Sequence, residues 1–233
     1  MKTRVLSVLL GLGCVLGAPT GMAQEVPAAT VPALKPLPKL QYVVKGQDFQ
    51  VLNPAQRSTP GRTELLVFFW YGSPWTAQVE PHLRSWIERG QAPANLHIQY
   101  VPLLTNQDKS WAFSARIFFA LDQLKVERQI TPKLLRAVQE KVVDLSSPVS
   151  VNTWLVQQGV DGKAFQDAIN SPMVVARVAA LPWVARNYQA KSTPTFVIDG
   201  TYHIAATEKM PPERAAAIAM FMATKLSEGG PRP

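Results

Sequence analysis

The sequence predicts an α/β fold in which a small sheet is interrupted by a long helical insertion, and three features carry that reading. Residues 65–70, "LLVFFW", are six apolar residues in a row, the signature of a strand covered on both faces between helix layers. From Asp108 to Asn187 the apolar residues recur at helical spacing. The chain then returns to strand-like "TFVID" and "YHIA" around Asp199-Gly200, a dipeptide suited to a tight hairpin turn.

The first segment stands apart from that fold. Lys2 and Arg4 form a basic start, residues 5–18 an apolar core, and Gly21 and Ala23 a small-residue exit, so residues 1–23 read as a secretory signal cleaved near Ala23. No later segment approaches the roughly 18 uninterrupted apolar residues of a spanning helix, so stable membrane insertion after cleavage is not expected. Pro27, Pro32, Pro36 and Pro38 make residues 24–39 an extended, proline-rich leader.

The body, residues 40–227, opens with strand-like "QYVV" and "DFQVL", followed by the turn-rich "NPAQRSTPGR". After the 65–70 strand, a helix is expected from Pro74 to about Arg89, then a strand in "LHIQYVP" at residues 96–102. Trp111, Phe113, Ile117, Phe118, Leu121 and Leu124 define one helical face. Leu134, Leu135, Val138, Val142 and Leu145 define another, behind a Thr131-Pro132 start signal. "VNTWLVQQG" and "GKAFQDAI" read as short helices, residues 174–188 as a longer one, and residues 211–226 as the last. Residues 228–233 form a flexible tail. The sheet core thus occupies about 40–105 and 188–227, with an all-helical insertion at about 106–187.

Composition narrows the function. A chain that is 47% hydrophobic and 17% charged has a real core. Losing Lys2 and Arg4 with the signal lowers the formal charge from +8 to +6, and the remaining basic residues are spread without a block, so nucleic acid is not an expected partner. The single cysteine, Cys14, lies inside the signal. Export therefore leaves a chain with no thiol, although exported proteins commonly use disulfides. His82, His97 and His203 lack metal-ligand spacing, and no metal or other cofactor is expected. "WYGSPW" is no hydrolase nucleophile elbow, because Pro74 follows the serine where that turn has another residue type.

The segment "FFWYGSPWTAQVEP" resembles the active-site segment of the DsbA family of periplasmic thiol:disulfide oxidoreductases, through Phe68, Phe69, Tyr71, Pro74, Glu80 and Pro81. The helical block sits where that family inserts its helical domain, and "STPTFVIDGTYHI" is similar to the family's cis-proline loop, with Thr193-Pro194 at the cis position. The resemblance implies a thioredoxin-like fold with an inserted helical domain, and a periplasmic location. It departs at the chemistry: Ser73 stands for the attacking cysteine, Trp75 for the histidine that tunes it, and Thr76 for the resolving cysteine. This degenerate member lacks the CxxC motif. Thiol exchange needs a thiolate stabilised at a helix N-terminus, which a serine hydroxyl cannot replace.

Ser73-Pro74 also has a structural reading, as N-cap and first residue of a helix. Trp75 is expected exposed, where an aromatic ring suits peptide contact. Thr76 reads as an ordinary helical residue. The resemblance implies that Thr193, before Pro194, offers its backbone to an extended polypeptide, a contact that needs no sulfur. The expected function is non-redox binding of unfolded or extended polypeptide at Trp75, Thr193 and Pro194, as a chaperone or adaptor. The alternatives are a glutathione-dependent enzyme of the kappa-transferase type, whose DsbA-like fold carries a Ser-Pro at this place and would use Ser73, and a decayed relative that is a thiol:disulfide interchange protein by ancestry only, retained for an interaction on the helical block.

Overall fold

The structure is a computed structural model that describes residues 34–56, 58–104 and 109–229. The expected signal, most of the leader and the last tail residues lie outside the described residues.

Strand β1 (Gln50–Val51) leads to β2 (Thr63–Phe69), helix α1 (Pro74–Glu88) and strand β3 (Leu96–Pro102). Five helices follow in sequence: α2 (Lys109–Gln123), α3 (Glu127–Gln139), α4 (Pro148–Gln157), α5 (Gly162–Ile169) and α6 (Pro172–Asn187). The chain closes with β4 (Thr195–Ile198), β5 (Tyr202–Ala205) and α7 (Pro212–Ser227). The sheet order is β1-β5-β4-β2-β3, with β2 and β3 parallel and the other neighbours antiparallel.

Alternation along β2 sorts the core. Leu65 and Val67 pack with Val79, Leu83, Phe196, Ile218 and Met222 under α1 and α7. Phe68 packs on the other face with Leu103, Ala185, Ala190 and Val197. Phe69 and Tyr71 enter the cluster that holds the helical block together, among Phe118, Leu134, Leu155 and Phe165. Asp199 and Gly200 both have positive φ, 48° and 61°, as a tight two-residue hairpin turn requires.

Three helices open on Ser-Pro. Ser73, Ser147 and Ser171 each accept a hydrogen bond from the backbone N–H three residues on, and Asp161 caps α5 in the same way. Two expectations need correction. Residues 41–44 form no strand, because Asp48 draws them into a turn: its Oδ2 accepts from Val44 N at 2.9 Å and its Oδ1 from Arg214 Nη2 at 2.7 Å. The strand expected at 48–52 shrinks accordingly to Gln50–Val51. Thr131-Pro132 does not open a helix either. Helix α3 begins at Glu127 and runs through Pro132, while Val142 lies past its end and is exposed.

Candidate functional site at the start of helix α1

Strand β2 delivers the chain to a tight turn, in which Ser73 N donates to Trp70 O at 3.0 Å. Gly72 is needed there, since a Cβ at this position would overlap the six-membered ring of Trp70. That ring stacks on Trp111 of α2, 4.5 Å between centroids and 9° between planes. Trp70 Nε1 is buried without a hydrogen-bond partner.

The β2–β4 register pairs Phe68 with Thr195 and so sets the 191–194 loop beside the turn. The Thr193–Pro194 peptide bond is cis. Ser73 Oγ donates to Thr193 O at 3.2 Å and accepts from Thr76 N at 3.2 Å. The serine is 5% exposed and joins two segments 120 residues apart. The loop is held from behind as well: Ser192 Oγ donates to Ala206 O at 3.0 Å, Thr195 Oγ1 to Ser192 O at 2.8 Å, and Ala206 N to Pro194 O at 3.0 Å. Burial holds the His203 imidazole below the usual histidine pKa.

The remaining site residues fall at different depths. Pro74 is exposed, Trp75 and Thr193 are half-buried, and Pro194 is buried. The exposure expected of Trp75 is thus only partial, because its ring packs on the cluster under α1 and α7. Thr76 is 1% exposed and its Oγ1 has no hydrogen-bond partner. At the position of the family's resolving thiol the chain therefore buries a hydroxyl that nothing satisfies.

Further along α1 a carboxyl group is buried. Glu80 is 6% exposed, and its Oε1 accepts from Arg84 Nη2 at 2.6 Å. Burial outweighs the attraction of Arg84 and holds the Glu80 carboxyl above the usual carboxylate range. Glu127 is raised as well, also chiefly by burial. The Tyr71 and Tyr100 phenols are pushed up by burial too, and Glu80 adds to the effect at Tyr100. Tyr71 Oη and Thr131 Oγ1 share a buried hydrogen bond of 2.7 Å, which ties the turn to α3 and gives Thr131 a tertiary role.

This arrangement is poor in nucleophiles. The one proton of the Ser73 hydroxyl is engaged by Thr193 O, so none is left for a bound thiolate, and no imidazole or carboxylate is seen to accept it. Among the described residues no group of three or more His, Cys, Asp or Glu side chains could hold a metal ion, and no single helix is long and apolar enough to cross a membrane.

A scan against protein-family models returns no match. The thiol:disulfide interchange protein DsbA of Burkholderia cepacia is 31% identical over 204 residues, covering 87% of this chain and 86% of that one. The chain belongs to the DsbA family. DsbA of Pseudomonas aeruginosa is 26% identical over 184 residues, covering 79% and 85%. Its crystal structure overlays at a TM-score of 0.70 with 25% identity, over 80% of this chain and 96% of that one. The oxidoreductase NmDsbA1 of Neisseria meningitidis overlays at 0.62 with 25% identity, over 80% and 95%. This DsbA-family chain thus has the thioredoxin-like fold with its helical content, and a sequence with one cysteine that cannot contain CxxC.

Sequence reasoning named Ser73, Pro74, Trp75, Thr76, Thr193 and Pro194, and the fold joins Ser73, Thr76 and Thr193 through direct hydrogen bonds. It did not anticipate the Trp70–Trp111 stack, the Tyr71–Thr131 bond or the burial of Glu80. Glu80 had one usable signal: it lies between Val79 and Leu83 on the apolar stripe of α1.

Proposed function

We propose that the chain is an exported, periplasmic DsbA-family protein that performs no thiol exchange and binds unfolded or extended polypeptide, as a chaperone or adaptor. The observation that carries this reading is the state of Ser73. It occupies the attacking position, yet its hydroxyl bridges Thr76 N and Thr193 O and so acts as a structural clip. Thr76 stands where a second thiol would be needed. The sole cysteine, Cys14, falls in the expected signal.

What remains at the site is a recognition surface. A client strand alongside Thr193 would gain main-chain hydrogen bonds, and the Thr193 carbonyl keeps a second lone pair beyond the one facing Ser73. Trp75, two residues past Ser73 in the first turn of α1, offers apolar contact. A decisive test titrates an unfolded peptide into isotope-labelled mature protein. Amide shifts should cluster at Trp75 and Thr193 and vanish in Trp75→Ala, whereas shifts confined to residues 108–187 would refute the location. Insulin-reduction turnover above buffer would end the non-redox claim. Retention on immobilised glutathione, lost in Ser73→Ala, would transfer support to the kappa-type enzyme.

A further inference from the structure

Beside the Thr193 loop lies an open groove of about 360 Å³, lined by Leu104, Pro182, Ala185, Arg186, Gln189, Ala190 and Lys191. We infer that this groove receives an acidic side chain of the polypeptide bound at Thr193, an inference that rests on the polypeptide-binding reading and adds a sequence preference to it. Its floor is apolar, from Leu104, Pro182, Ala185 and Ala190, while its polar rim carries two cations and no acid. Both Arg186 and Lys191 are exposed, and neither has an ion-pair partner among the described residues.

Position connects the groove to the site. Lys191 precedes Thr193 by two residues, which span at most about 7 Å of chain. A strand running alongside Thr193 would therefore pass within a side chain's reach of the rim. The wall is held in place: Ala190 N donates to Ala185 O at 2.9 Å and Gln189 N to Arg186 O at 3.1 Å. The cavity is at the lower end of small-ligand sites, roomy enough for one or two side chains. An apolar floor beneath two unpaired cations fits a carboxylate on a short aliphatic stem, as in glutamate. A lysine there would meet like charge from Arg186 and Lys191 on a mature chain whose formal charge is still +6 after loss of Lys2 and Arg4.

The test uses three fluorescent peptides with blocked termini, alike except for Glu, Gln or Lys at one position. Blocking both ends confines the comparison to the side chain. With the mature protein at low salt, the Glu peptide should bind about three- to tenfold more tightly than the Gln peptide, the order expected of two exposed ion pairs. The Lys peptide should bind most weakly, and the spread should collapse by about 0.5 M salt. In the double variant Arg186→Gln, Lys191→Gln the three affinities should converge, with far-UV circular dichroism confirming the fold. Equal affinities for Glu and Gln, or a preference that survives the double variant, overturn this inference. If the three bind equally and Trp75→Ala abolishes binding, only the acid preference falls. If none binds, the polypeptide-binding reading falls and this inference with it.

Discussion

Replacing Ser73 by alanine removes two hydrogen bonds at once. Thr76 N loses its capping acceptor at 3.2 Å, a change that costs about 1 kcal/mol at a helix N-terminus. Thr193 O loses its donor at 3.2 Å, and an acceptor left without its partner inside the fold costs about 1 kcal/mol more. The sum, about 2 kcal/mol, lowers Tm by about 4–8 °C in a domain of this size. Ser147 supplies the control, since its Oγ caps α4 by accepting from Ser150 N at 3.1 Å in the same Ser-Pro setting. Ser147→Ala should cost only the capping share, so the difference between the two variants isolates the link to Thr193. Thermal and urea melts followed by far-UV circular dichroism give both numbers. If Ser73→Ala costs no more than Ser147→Ala, Ser73 is not a tertiary clip and the reasoning fails.

Three further predictions follow from the same region. Gly72→Ala forces the Trp70 ring off Trp111, so the near-UV circular dichroism of the stacked indoles should fall while the far-UV spectrum holds; an unchanged near-UV spectrum would refute the crowding. Glu80 has a folded-state pKa above its unfolded value, so its contribution to stability is fully present below the unfolded pKa and declines as pH rises through the folded one. Glu80→Gln stays neutral, and its stability relative to wild type should therefore improve as pH rises above the ordinary glutamate pKa of about 4; parallel stability curves would refute the burial argument. The double variant Ser73→Cys, Thr76→Cys places two thiols at the start of α1, where the helix N-terminus favours a thiolate. It should reduce insulin disulfides in the presence of dithiothreitol, as the unaltered protein should not, and an inert double variant would mean that more than the two thiols has been lost from the site.

Legibility followed the range of the forces involved. The helix openings at Ser73, Ser147 and Ser171 were readable because capping is a contact within one turn. The strand at Leu96–Pro102 was readable because alternation of side chains is a local pattern. Asp48 and Thr131 misled, since each has partners distant in sequence: Arg214 for the first and Tyr71 for the second. A polar residue paid for by a remote contact leaves no periodic trace in its own neighbourhood.

The sequence by itself determined that this DsbA-family chain holds one cysteine and no CxxC, because composition needs no coordinates. It also determined most helices and strands, through spacing and caps. Only the tertiary structure decided that Ser73 is bonded to Thr193, that Trp75 is half-buried and that Glu80 is buried, because each depends on how β2 registers against β4 and on how α1 packs against the sheet.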